Sequence, residues 1–121
     1  LKQTDELIFV FPIWWYDVPA ILKGFLDKVL LPNFAYLEDK EGNYWKPLLT
    51  NIKKATVITT APSSKELISY AGNAIEGILI NSALVSIGIP QEHMKWIHFP
   101  EVKQTTTEKR KEFLEQLPSL I

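Results

Sequence analysis

Short apolar runs alternate with longer amphipathic segments along the chain. The first run, Leu7 to Trp14, reads LIFVFPIW. It is continuous, β-branched and aromatic, which predicts a strand buried on both faces, with Pro12 stopping further pairing near its end. Asp17-Val18-Pro19 then predicts a helix start, with Asp17 or Val18 as cap and the proline in the first turn. Ile21, Leu22, Phe25, Leu26, Val29 and Leu30 follow at helical spacing, and Pro32-Asn33 ends that helix. Residues 33 to 51 read as a long loop with a turn at Glu41-Gly42-Asn43.

A second strand is predicted from Lys54 to Ala61, stopped by Pro62-Ser63. Ser63 and Glu66 have capping-box spacing for a helix from Ser64 to about Ile87. Its buried side would carry Leu67, Ile68, Ala71, Ile75, Ile78 and Leu79. Gly72, Ala74, Gly77 and Ala83 would let another backbone approach, and Gly88 is the helix stop. A third strand runs from Met94 to Phe99, ended by Pro100. Thr105 and Glu108 repeat the capping-box spacing before a last helix carrying Phe113, Leu114, Leu117 and Leu120.

The order is strand–helix three times. It predicts an α/β domain, a three-layer α/β/α sandwich around a parallel sheet. Composition narrows what such a domain does. The chain has 121 residues, 46% hydrophobic and 22% charged, with 13 Lys+Arg against 14 Asp+Glu. A net charge of −1 gives no footprint for nucleic acid or an anionic membrane. Zero cysteines exclude disulfides, iron–sulfur clusters and thiolate chemistry, and fit a reducing cytoplasm. With two histidines, His93 and His98, a histidine-rich metal site is excluded. No apolar run reaches the ~18 residues of a membrane span.

Ligands of open parallel sheets bind beyond the carboxyl ends of the strands. That rule selects Pro12 to Tyr16 and Thr59 to Ser64, with Pro100 to Thr106 a weaker third. Trp14, Trp15 and Tyr16 are consecutive, and a strand's alternation cannot send all three into one core. At least one is expected in the crevice, as a flat apolar wall for a planar ligand or as part of a core or an oligomer interface. Thr59-Thr60-Ala61-Pro62-Ser63-Ser64 offers hydroxyls and backbone N–H groups, or is a plain capped turn. His98 sits inside a strand pattern and reads as a satisfied structural histidine. Lys23 and Asp27 read as a surface helix pair, Lys109 to Lys111 as a solvated helix face. No phosphate-cradling glycine motif and no Gly-x-Ser-x-Gly occurs.

Longer motifs point further. Pro12-Ile13 with Trp15-Tyr16, then Pro19-Ala20, Leu22-Lys23-Gly24-Phe25, Asp27-Lys28-Val29 and Phe34-Ala35-Tyr36, together with Thr59-Thr60, closely resemble the flavodoxin-like NAD(P)H:quinone oxidoreductases. The resemblance is strong from Leu1 to about Ser64 and beyond that follows the order of elements. It implies FMN or FAD as cofactor, NADPH or NADH as hydride donor, a quinone-like acceptor, ping-pong turnover and a homodimer. It implies cofactor-binding roles for Pro12, Ile13, Trp14, Trp15, Tyr16, Thr59, Thr60, Ala61 and Ser63, and an assisting catalytic role for Tyr70. Tyr36, Tyr44 and Trp45 would close a neighbouring subunit's site, or Trp45 would anchor its own loop. Ala61-Pro62 departs from the family's glycine pair, and Pro62 removes one N–H. The three strands correspond to the third, fourth and fifth of the family's sheet, so the resemblance places two strands and the flavin-phosphate loop upstream of Leu1. The first strand would then be an exposed apolar edge that pairs with another chain. A flavodoxin-type electron carrier and a non-catalytic regulatory or interaction subunit are the competing expectations; some members of the family assist potassium-efflux transporters.

Overall fold

The structure is a computed structural model that describes residues 1–42 and 45–121. Three strands form a parallel sheet in the order β1 (Glu6–Pro12), β4 (Lys54–Thr60), β5 (Met94–Phe99). The register pairs Phe9 with Val57 and Val57 with Trp96. Central β4 is covered on both sides, and its Ala55 to Ile58 are all buried. The three predicted strands are thus all present. Pro12 is the last strand residue rather than a stop, opposite Thr60, and the pairing goes on through Ile13 N–H to the Thr60 carbonyl.

The two faces of the sheet are unequal. Leu7, Phe9, Phe11, Ala55 and Val57 share one face, where α1 (Ala20–Val29) packs Leu22 and Leu26 against them. The main core lies here, completed by Leu49, Ile52, Ile68, Ile75, Leu79 and Leu84. The other face is covered by α4 (Thr107–Leu120), where the Phe113 ring meets Phe99 at 4.7 Å. Helices on both sides make the expected three layers. α4 reaches only part of its face: Ile8 and Val10 of β1 remain 50% and 73% exposed. Leu114 is also exposed rather than packed.

Four expectations need correction. The first helix is capped by Pro19, not by Asp17 or Val18; the Asp17 carboxylate accepts from Val18 N–H at 2.6 Å instead. The stretch 33 to 51 is no plain loop. It holds an antiparallel pair, β2 (Tyr36–Glu38) and β3 (Trp45–Pro47), with Tyr36 stacked on Trp45 at 4.5 Å. Gly42 turns at φ +69, while Asn43 and Tyr44 lie outside the described residues.

The long helix is broken. α2 (Lys65–Tyr70) ends before Gly72 (φ 140) and Asn73 (φ 52), and a π-helix, Ala74–Leu84, leads into α3 (Val85–Ile87). The wider π turn puts Ile75, Leu79, Ile80 and Leu84 inward and leaves Ile78 exposed; before the break, α2 buries Ile68, and Leu67 and Ala71 are exposed rather than buried. Nothing approaches Gly72; its role is the positive φ at the break. Gly88 is the stop, at φ 116. Finally, both caps sit one residue later than read: Ser64 Oγ accepts from Leu67 N–H at 3.3 Å, and Thr106 Oγ1 from Lys109 N–H at 3.2 Å. Among the described residues no helix is long and apolar enough to cross a membrane.

Candidate functional site

At the carboxyl edge of the sheet the chain leaves β1 in a turn that no strand alternation describes. Trp14 and Asp17 exchange both backbone hydrogen bonds, at 3.2 and 3.1 Å, with Trp15 and Tyr16 between them at φ 52 and 63. Two consecutive positive φ values define the turn usually made by Asn-Gly. Here bulky aromatics occupy it, each in a conformation costing roughly 1–2 kcal/mol. Trp15 is 95% exposed, so packing does not compensate the strain. Strain of this kind persists where the local geometry is used.

The second turn, after β4, is fastened from several sides. Ala61 N–H donates to the Phe99 carbonyl at 3.2 Å, and Val102 N–H to the Ala61 carbonyl at 3.1 Å. Arg110 holds the Val102 carbonyl at 3.0 Å. Beneath the turn, Trp96 Nε1–H donates to Thr59 Oγ1 at 2.8 Å, Thr59 Oγ1 lies 2.8 Å from His98 Nδ1, and His98 Nε2 lies 2.9 Å from the Ser63 carbonyl. Both ring nitrogens of His98 are therefore engaged, as expected of a structural histidine. Lys65 adds a clasp, its ammonium 2.9 Å from the Trp96 carbonyl and over the indole ring.

Between the two turns lies a cleft of about 600 Å³. Ile13, Trp14, Trp15 and Tyr16 form one wall, and Ala61, Pro62 and Ser63 the other, with Ile68 and Lys103 completing the lining. Two segments selected by topology, about 45 residues apart in sequence, thus meet at one place. Pro12, Thr59 and Thr60 sit in the strands behind the lining, and Tyr70, 90% exposed at the end of α2, stands outside it. Thr59 is fully buried, its hydroxyl turned to Trp96 and His98. Lys103 was not legible as a site residue: no motif surrounds it, and it arrives because Val102 is stitched to Ala61. Its segment, Pro100 to Thr106, was the weakest of the three strand ends.

A second groove of about 500 Å³ runs between α1, the β2–β3 pair and the π-helix, and is mostly apolar. Tyr36 and Trp45 line it together with the Lys23–Asp27 ion pair (2.6 Å) at its rim. Trp45 anchors its own loop through the Tyr36 stack while staying half exposed.

The description of the family model that matches residues 1–118 is a flavodoxin-like fold. The human ribosyldihydronicotinamide dehydrogenase [quinone] is 39% identical over 72 residues, which are 60% of this chain and 30% of that protein. An uncharacterized NAD(P)H oxidoreductase of Haemophilus influenzae is 31% identical over 116 residues, 95% of this chain and 55% of its own length. A crystal structure from Streptococcus mutans superposes with a TM-score of 0.85 at 28% identity, covering 98% of this chain and 60% of that one. The matched part of the chain thus covers from 30% to 60% of these three proteins.

Proposed function

The chain belongs to the flavodoxin-like fold family, and from that premise we propose that its cleft holds the isoalloxazine ring of FMN or FAD in an NAD(P)H-dependent oxidoreductase whose acceptor is a quinone or a similar molecule. The observation that carries this reading is the convergence of the Ile13–Tyr16 and Ala61–Ser63 turns on one cleft. Relatives named as a quinone dehydrogenase and an NAD(P)H oxidoreductase support it.

The lining fits such a group. A planar ring needs a flat apolar wall and polar groups at one edge. Trp14, Trp15, Tyr16 and Ile13 supply the first; Ser63 and Lys103 supply the second. When bound, a flavin carries electron pairs between a reduced nicotinamide and an acceptor. The chain's own residues bind and orient. The backbone N–H of Ala61 is committed to Phe99, and Pro62 has none, so the donors this turn keeps outside the strand ladder come from Ser63 and Ser64. Lys103 brings a positive charge to the lining, suited to charge that grows on the ring edge during reduction. The strained aromatic turn keeps its rings at the surface, ready to cover a ligand face and exclude water.

Ping-pong turnover, in which donor and acceptor use one face in succession, belongs to the same proposal, as do the homodimer and a cytoplasmic setting. The test is a visible absorption spectrum of the purified protein, before and after adding FMN or FAD, followed by NADH and NADPH consumption with a quinone. A perturbed flavin band and quinone-dependent consumption are expected. A colourless protein that leaves added flavin unperturbed overturns the reading.

A further inference from the structure

The half-buried chain of contacts beneath the second turn does more than satisfy polar atoms. Its hydrogens can be assigned by accounting. The Ser63 carbonyl only accepts, so His98 Nε2 must carry the ring hydrogen. Trp96 Nε1 only donates, so Thr59 Oγ1 accepts from it; in the neutral ring Nδ1 is then an acceptor, and Thr59 passes its own hydrogen to it. The result is a directed chain, Trp96 to Thr59 to His98 to Ser63, with every donor matched to an acceptor. It runs from β5 through β4 to a residue that lines the cleft.

We propose that His98 is a positioning residue of the cleft: by holding the Ser63 carbonyl, it fixes the wall that Ser63 presents to a bound ring. This rests on the flavin reading above. The physical reason is the rigidity of the peptide unit. No cis peptide bond occurs among the described residues, and in a trans unit the carbonyl and the following N–H point opposite ways. Bonding the Ser63 carbonyl to His98 therefore turns the Ser64 N–H away from His98 and sets the plane between the two serines. The same unit leads directly into the cap, where Ser64 Oγ receives Leu67 N–H. Pro62 restricts the chain on the other side through its fixed φ. The Ser63–Ser64 peptide plane thus has one orientation while His98 and Thr59 are in place.

The test uses two kinds of readout on the wild-type protein and on His98→Leu, His98→Gln and Thr59→Val. Flavin affinity is measured by titration well below each melting midpoint. Amide hydrogen exchange at Leu67 is measured in the free protein. His98→Leu is expected to weaken flavin binding about tenfold and to speed Leu67 exchange by a similar factor. Thr59→Val acts in the same direction more weakly. His98→Gln, whose amide can both accept from Thr59 and donate to Ser63, restores both to within about threefold. Nitrogen NMR of the wild-type ring shows the Nε2–H form. A residue of purely structural value would lower the melting midpoint of all three variants and leave flavin affinity alone. His98→Leu binding flavin as tightly as wild type, or a ring protonated at Nδ1, overturns the inference. If the wild-type protein binds no flavin, the flavin reading fails by itself. Exchange at Leu67 then still decides the positioning: unchanged exchange in His98→Leu refutes it, and faster exchange that His98→Gln reverses sustains it.

Discussion

The two turns that frame the cleft are built on opposite principles. The Trp14–Asp17 turn closes on itself with two backbone hydrogen bonds, holds two aromatic residues at positive φ and shows their rings to solvent. The Ala61–Ser64 turn has no positive φ and is tied to β5, to the loop after it and to α2. One wall is strained and presented; the other is relaxed and clamped. The contrast teaches that a binding cleft at a sheet edge can take its shape from a fixed side and its contact area from a side that is costly to hold.

The clamped side should fail first when its footing is removed. Ile68, fully buried and at the base of the cleft, anchors α2 behind the second turn. Ile68→Ala is expected to cost about 2–5 kcal/mol, read from the shift of a urea midpoint at unchanged slope. A cost near zero would mean that the second wall draws its rigidity from hydrogen bonds alone.

The strained side should respond the other way. Trp15→Gly removes a side chain that packs on almost nothing and relieves a positive φ, so it is expected to raise stability by about 1 kcal/mol. The same change should weaken flavin binding about tenfold. Gain of stability with full retention of affinity would separate the strain from the ligand and remove the contrast.

The smallest effect concerns the acid side. Its own backbone N–H, and then the Ser64 hydroxyl, hold the Glu66 carboxyl below its ordinary range. A carboxyl lowered in the folded state stabilises it above the unfolded value and loses that contribution as pH falls through the folded one. Wild-type stability should therefore fall slightly more than that of Glu66→Gln as pH drops below about 4.5. Because Glu66 is fully exposed, parallel curves would show only that solvent screens the pairing.

How much of this was legible in the sequence follows from the same contrast. Continuous apolar runs announced all three strands, and the strand-end rule placed both turns at one rim. Met94 to Phe99 was bounded as observed, and Lys54 to Ala61 missed by one residue. The shape of the first turn was hidden, because its backbone form is ordinarily written Asn-Gly and here is written Trp-Tyr. The break at Gly72-Asn73 was hidden because a glycine followed by a polar residue is tolerated inside helical patterns. The break ended the single 3.6 period on which Leu67, Ala71 and Ile78 were chosen, and the π-helix then moved the buried set around Ile78 off it. The β2–β3 pair depends on Tyr36 meeting Trp45 across a loop, a contact no local pattern encodes. The caps slipped by one because Ser63-Ser64 and Thr105-Thr106-Thr107 each offer several hydroxyls.

The central claim is that a flavin ring sits between the two turns, and amide chemical-shift mapping tests it most directly. Titrating FMN into the labelled protein should move the signals of Trp14 to Tyr16 and of Ala61, Ser63 and Ser64 together, saturating at one affinity. Shifts gathered instead around Leu26, Leu30 and Tyr36 of the second groove, or none at all, would contradict it.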